Sequence, residues 1–226
     1  MATLLITIVP SLIILSFFFF SDKFKEPKQT IAIVFFLGIL ICLPAGIIND
    51  FMYETFNDGS DFSERLSASF LSAAWSEELL KFIILYFIVL RRNEFNEPMD
   101  GIVYGVTVSL GFATYENYDY VFRLAESWEI DPYQMAIARS YSAVPMHGLV
   151  GCVMGFYFGM YAFSANKKYL ILCLLVPFII HGFYNFLPYP YHFMVLGILI
   201  VYSITLHSQF KKMQWMKNKE KEIKKV

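Results

Sequence analysis

The chain has 226 residues, of which 57% are hydrophobic and 16% charged, with a formal net charge of −1 and a mean hydropathy of +0.52. A soluble domain carries about a quarter charged residues, so this composition argues against an ordinary soluble enzyme and against a disordered chain. The near-zero net charge excludes a global basic field of the kind that attracts nucleic acid. Cys42, Cys152 and Cys173 all lie inside apolar runs, form no C-x-x-C pair, and read as small buried hydrophobes.

The apolar runs, in chain order, predict an all-α, polytopic transmembrane helix bundle of about seven spans. Span 1 is Ala2 to Phe20 and span 2 is Thr30 to Ile48. Span 1 has no basic residue before it and no small-x-small site after it, so it reads as a retained helix rather than a signal peptide. Span 3, Phe70 to Leu90, contains Glu77, Glu78 and Lys81; span 4, Met99 to Phe122, contains Asp100, Glu116 and Asp119. Span 5 is Tyr141 to Phe163 with His147, and span 6 is Tyr169 to Leu187 with His181. Span 7, Tyr191 to Leu206, is the shortest, and a membrane helix needs about 20 apolar residues. The domain reading is one membrane-embedded unit, 1–207, followed by a Lys-rich tail, 208–226.

Charge sets the expected orientation. Of the 18 Lys and Arg, 14 fall in the loops after spans 1, 3 and 5 and in the tail, and only Arg65, Arg123 and Arg139 fall in the opposite loops. The positive-inside rule then puts the N-terminus outside and the tail in the cytoplasm.

An ionisable group at membrane depth is costly and points to function. Glu77, Glu116, His147 and His181 each lie six or seven residues from the outer end of a span. At 1.5 Å per residue that is roughly 9–11 Å deep. Four polar groups on four helices at one depth predict a single water-filled pocket. The inner halves read as nearly free of charge. Glu77 and Lys81, four apart, share a helix face and could neutralise each other. Gly151, Gly155 and Gly159, with Gly101, Gly105 and Gly111, predict close helix packing around the pocket.

Four local patterns stand in order on these spans. Span 3 reads Ser76-Glu77-Glu78-Leu79-Leu80-Lys81, an E-E-x-x-K motif. Span 4 reads Phe112-Ala113-Thr114-Tyr115-Glu116, an F-x-x-x-E motif. Span 5 has Pro145-Met146-His147-Gly148, and span 6 has His181-Gly182-Phe183-Tyr184-Asn185, an H-x-x-x-N motif. The set resembles the PrsW family of bacterial intramembrane proteases, similar in turn to the CAAX prenyl endopeptidase and bacteriocin-processing superfamily. The resemblance covers spans 1 to 6. It implies a metal-independent, glutamic-type peptidase of the bacterial cytoplasmic membrane, without a cofactor. Such a peptidase makes the first, extracytoplasmic cut in a membrane-anchored anti-sigma factor, in stress-response signalling. The family's E-E motif falls on Glu77 and Glu78, and its later essential His on His181. Glu116 stands where the CAAX superfamily has His, and Lys81 stands one residue earlier than that group's Arg.

Amide hydrolysis needs an activated water, an oxyanion stabiliser and a proton donor for the leaving amine. The expected assignment makes Glu77 the base, with Glu116 holding the water and sharing a proton with Glu77. His181 and Asn185, four apart on one face, donate to the oxyanion. Lys81 keeps Glu77 ionised, Phe112 supports the site, and His147 is a second donor or holds the water. Glu78 orients the site or holds the bundle. Two Glu and two His also make a plausible zinc set, though H-E-x-x-H is absent. A CAAX-like peptidase with another substrate is a further reading. An ion-coupled transporter is the non-enzymatic one, and no inverted repeat supports it.

A reporter active only in the cytoplasm, fused after Lys168, is expected to be active, and the same reporter placed within 57–60 to be silent. The reverse pattern would overturn the orientation.

Overall fold

The structure, a computed structural model, describes residues 1–164 and 166–223, with side chains through 216. Lys224 and Lys225 of the predicted tail lie outside the described residues, as do the side chains of Lys217, Lys219 and Lys221. Helix α1 is Ala2–Ser21 and α2 is Lys28–Phe56. A third rod begins as α3 (Asp61–Leu66), passes through a π-helical stretch (Ser67–Ala74) and continues as α4 (Trp75–Phe87). Helix α5 (Pro98–Asp119) runs through a second π-turn (Tyr120–Leu124) into the short α6 (Ala125–Ser127). Then follow α7 (Pro132–Tyr141), α8 (Ala143–Ser164), α9 (Lys167–Phe186) and α10 (His192–Ile223). Among the described residues there is no strand. That is the outcome expected where lipid offers the backbone no hydrogen-bond partner and each helix must satisfy its own.

Local chemistry sets the helix starts. Pro98 and Pro132 open α5 and α7, where a missing N–H costs nothing. Glu97 and Asp100 form a reciprocal capping box on α5, and the Asp131 side chain caps α7 through the Gln134 N–H at 3.0 Å.

Five stretches are long and apolar enough to cross a membrane: Ala2–Ser21, Lys28–Phe56, Pro132–Ser164, Lys167–Phe186 and His192–Met216. Their outward faces are apolar and exposed, as with Ile13, Ile47, Phe51, Ile171 and Ile198. The two predicted spans that carry the acids are long helices but fall outside this set, because charge lowers their hydropathy. Helix α5 is instead the axis of the bundle. Every residue from Met99 to Thr114 is buried, and the helix packs on α1, α2, α8 and α10. Its 22 residues reach about 33 Å, the thickness of a bilayer core.

Two expectations are corrected here. The last span is not the shortest: α10 is the longest helix, at 32 residues, and it runs unbroken past position 207. Phe210 stacks on Phe156 at 4.4 Å, and Gln214 is buried, so the first part of the predicted tail belongs to the bundle. Nor is the Lys-rich end free of internal charge. Asp22, Glu26, Glu97 and Asp100, from the α1–α2 loop and the start of α5, are all buried there. Three of the four lie in or beside loops, so a scan of the spans alone passed over them.

Glycines set how closely α5 is wrapped. A Cβ at Gly155 would overlap the Gly101 carbonyl, and one at Gly105 would overlap the Gly151 carbonyl, so α5 and α8 meet backbone to backbone. Gly38 and Gly111 do the same for α2 and α5, against the carbonyls of Val108 and Phe35. Lipid tails are as apolar as Leu, so such close packing, rather than water exclusion, holds membrane helices together. Gly155→Ala is therefore expected to lower stability by about 1–3 kcal/mol. Gly197→Ala, which meets nothing within 4 Å, is expected to be neutral or better. Thermal unfolding of both variants in detergent checks this; equal melting temperatures would refute the packing argument.

Candidate active site

The predicted polar groups converge. A cavity of about 880 Å³ opens at the end of the bundle opposite the Lys-rich loops. Glu77, Phe112, Glu116, His147, His181 and Asn185 all line it, together with Arg139, Tyr120 and Tyr184. Its rim is formed by Asn49 and Asp50 near the end of α2, and by Asp119 and Arg123 near the end of α5.

At its floor lies Lys81, fully buried on α4. Its ammonium donates to Glu78 Oε1 at 2.8 Å and lies 3.6 Å from Glu77 Oε2. It also faces His147 Nδ1 at 3.3 Å and sits 4.4 Å from the centre of the Phe112 ring. The aromatic face adds a favourable cation–π contact. The closer partner of Lys81 is thus Glu78, not Glu77 as the i, i+4 spacing predicted. Glu78 does not line the cavity. Its Oε1 also accepts from His181 Nδ1 at 2.8 Å, so this carboxylate fixes the ring on α9.

His147 is fixed from both sides. An ammonium can only donate, so its neighbour Nδ1 accepts, and Nε2–H donates to Glu116 Oε2 at 3.0 Å. Both nitrogens of His147 are engaged, which leaves neither free as the second oxyanion donor that the sequence suggested. The rings of His147 and His181 meet edge to face at 5.2 Å. Ser109 Oγ donates to the His147 carbonyl at 2.6 Å and ties α8 to α5 at this level.

Glu116 has a partner that the sequence reading placed in a loop. Arg139, on α7, pairs with Glu116 through one guanidinium nitrogen and donates from Nε to Asn117 Oδ1 at 2.8 Å. Its guanidinium carbon stacks 3.7 Å above the Tyr120 ring. Glu116 is therefore held by Arg139 and His147, and no proton shared with Glu77 is needed to keep it in place. The available signal was a basic residue eight positions before His147, on a side whose loops carry only two others, Arg65 and Arg123. Asn185 sits one turn after His181, at the cavity mouth, and its side chain is exposed.

The arrangement is an alternating chain of charge and imidazole: Arg139, Glu116, His147, Lys81, Glu78, His181. Glu77 stands beside it, facing the cavity. Both acid-bearing helices change to π-helix within a few residues of their acids, at Ser67–Ala74 and Tyr120–Leu124. Such turns are frequent at functional sites because they rotate the side chains that follow. Gly182 lets the Phe70 ring press on α9 next to His181.

A family described as PrsW family intramembrane metalloprotease matches residues 26–208, which contain the whole cluster. The chain belongs to this family. A protease PrsW of Geobacillus kaustophilus is 40% identical over 183 residues, covering 80% of this chain and 76% of the relative. One of Bacillus subtilis is 38% identical over 184 residues, covering 80% and 79%. One of Clostridioides difficile is 30% identical over 207 residues, covering 89% and 85%. No solved structure matches the chain. The chain is thus an intramembrane protease of the PrsW family, and the buried cluster is its candidate catalytic centre.

Arg139→Gln is expected to lower turnover by about 10–100-fold with little change in KM, because it removes the group that fixes Glu116 and touches no reacting atom. Arg139→Lys should recover only part, since an ammonium cannot serve Glu116 and Asn117 with one planar fork. Cleavage kinetics of the three proteins in detergent decide this. Full recovery by Lys would reduce the role of Arg139 to charge alone.

Proposed function

We propose that this protease is a metal-independent, glutamic-type endopeptidase in which Glu77 activates the attacking water. The observation that carries this reading is the Lys81 ammonium, which lies among Glu77, Glu78 and His147, where a metal ion bound by these groups would have to sit. Glu77 is the acid that combines a cavity-facing position with the weakest fixing. Its Oε2 has no hydrogen-bond partner among the described residues, whereas Glu78 and Glu116 are each held by two groups.

In this mechanism Glu77 takes a proton from water as the oxygen attacks the peptide carbonyl carbon. The resulting oxyanion accepts from the side-chain N–H of Asn185 and from the ring of His181, which is anchored on Glu78 through Nδ1. The C–N bond then breaks as Glu77 passes its proton to the leaving nitrogen. Fixed donors aimed at a developing charge are worth most in a site shielded from bulk water. Glu116, Arg139 and His147 hold the far wall in position.

The substrate we infer is a membrane-anchored anti-sigma factor cut on the extracytoplasmic side of the bacterial cytoplasmic membrane. This rests on the motif resemblance and on the charge asymmetry, which puts the cavity end outside.

A second reading is a metalloprotease, as the family description has it. Glu77, Glu78, His147 and His181 bring ligand atoms within 4.8 Å of one another, and Oε2 of both glutamates is buried without a hydrogen-bond partner. By type this set fits zinc. These four residues would hold the ion, which when bound would polarise the carbonyl and acidify a water. Lys81 would then have to lose its proton or move.

Glu77→Gln is expected to reduce cleavage by about two to four orders of magnitude with normal accumulation. Asn185→Ala is expected to lower turnover about 10²–10³-fold, more than it weakens binding. Purified protein is expected to keep cleaving in strong chelators. Activity lost to chelator and restored by one equivalent of zinc would establish the second reading instead.

A further inference from the structure

The second buried acid cluster lies at the other end of the bundle and takes no part in the chemistry above. Asp22 ends α1, Glu26 lies in the α1–α2 loop, and Asp100 sits in the first turn of α5. They are 2%, 4% and 0% exposed, and their carboxylates bring oxygens within 4.8 Å of one another. From Asp100 to Glu116 along α5 is about 24 Å, so the two clusters are separate.

Local structure accounts for only half of each aspartate. Asp22 Oδ1 accepts from the Phe24 N–H at 3.0 Å and from Gln214 Nε2 at 2.7 Å. Asp100 Oδ2 accepts from the N–H groups of Asn96 at 2.7 Å and Glu97 at 2.8 Å, which is its capping role. Glu26 Oε2 accepts from the Tyr104 hydroxyl. Asp22 Oδ2 and Asp100 Oδ1 remain buried with no partner. Among the described residues no Lys, Arg or His lies within ion-pair distance of any of the three. The polar neighbours named here, Gln214 and Tyr104, are neutral.

Three carboxylates, two with orphaned oxygens, need a counter-charge. One proton shared between two of them would leave two charges uncompensated in a buried site, at a cost of several kcal/mol. A hard divalent cation supplies the charge and the missing partners together. Oxygens on opposite sides of such an ion lie about 4.2 Å apart for Mg²⁺ and about 4.8 Å for Ca²⁺, and the three carboxylates bring oxygens no farther apart than 4.8 Å.

We propose that Asp22, Glu26 and Asp100 bind one hard divalent cation of the Mg²⁺, Mn²⁺ or Ca²⁺ class, which fastens the α1–α2 loop to the start of the central helix. Its role is structural. It ties two segments far apart in sequence, 22–26 and the first turn of α5, and sets the axial position of α5, whose far end carries Glu116.

The test is metal binding to the full-length protein in detergent, read apart from proteolysis. Mn²⁺ titrated against electron paramagnetic resonance should show one site in wild type, and the same site in the double variant His147→Ala/His181→Ala. Asp22→Asn/Glu26→Gln should weaken it at least tenfold. Mg²⁺ or Ca²⁺ at a hundredfold excess over Kd should raise Tm by about 5–10 °C in wild type and not in that variant. Should the Asp22/Glu26 variant fail to accumulate, Tb³⁺ luminescence sensitised through Tyr104 in wild type, displaced by Ca²⁺, serves in its place. The proposal is overturned by absence of Mn²⁺ or Tb³⁺ binding. It is overturned equally by binding that survives Asp22→Asn/Glu26→Gln and vanishes in the histidine variant. Stabilisation by acid with no cation dependence would assign the site to a shared proton.

Discussion

One ammonium, buried between two carboxylates and an imidazole, organises the cavity end of this protein. Taking Lys81 and its partners out of water costs several kcal/mol per ion, and the mutual attraction recovers this only when geometry is good and the remaining polar atoms are satisfied. Lys81 itself is satisfied by Glu78 at 2.8 Å, His147 at 3.3 Å and the Phe112 ring, while Oε2 of Glu77 and of Glu78 keeps no hydrogen-bond partner among the described residues. Because each partner sits on a different helix or turn, the cost of leaving any one unpaired ties α4, α5, α8 and α9 to one relative position. The same pairing consumes most of the hydrogen-bonding capacity of the cluster. It leaves Glu77 as the cavity-facing acid with the fewest hydrogen bonds.

That electrostatic centre requires a tight cage. Four helices must bring polar side chains within about 3 Å of one another while excluding lipid and bulk water, and helices with large side chains at their crossing cannot come that close. The glycines of α5 and α8, and of α2 and α5, remove the side chains at the crossings, so the backbones touch. Packing and chemistry are therefore coupled. A methyl group at a crossing would overlap backbone and force the helices apart, displacing His147 or Glu116 from a geometry that positioned catalysis needs.

The protein is polar at both ends of its axis and apolar around its circumference. At one end the acids are balanced by Lys81 and Arg139 and face a cavity. At the other, Asp22, Glu26 and Asp100 are buried, with Gln214 and Tyr104 donating to Asp22 and Glu26. Helix α5 connects the two. Its burial on all sides explains why it shows no amphipathic stripe, while Asp100, Glu116 and Asp119 keep its hydropathy below that of the spanning segments.

The sequence by itself determined that the chain is helical and membrane-embedded, because apolar runs of span length admit no other backbone solution in lipid. It also determined that Glu77, Glu116, His147 and His181 share a level, since depth along a helix is linear in residue number. It identified the family, because the four motifs keep their order on consecutive spans. What it did not determine is which polar group touches which. Packing around α4 left Lys81 closer to Glu78 than to Glu77, although both acids share its helix. Helix packing also brought Arg139 from outside the predicted spans onto Glu116. The acids at the Lys-rich end came from the α1–α2 loop and the start of α5, far apart in sequence, and only packing placed them in one buried cluster. Depth is a one-dimensional property and can be read from a string of residues. Partner choice depends on the rotation and approach of neighbouring helices, which only the tertiary structure decides.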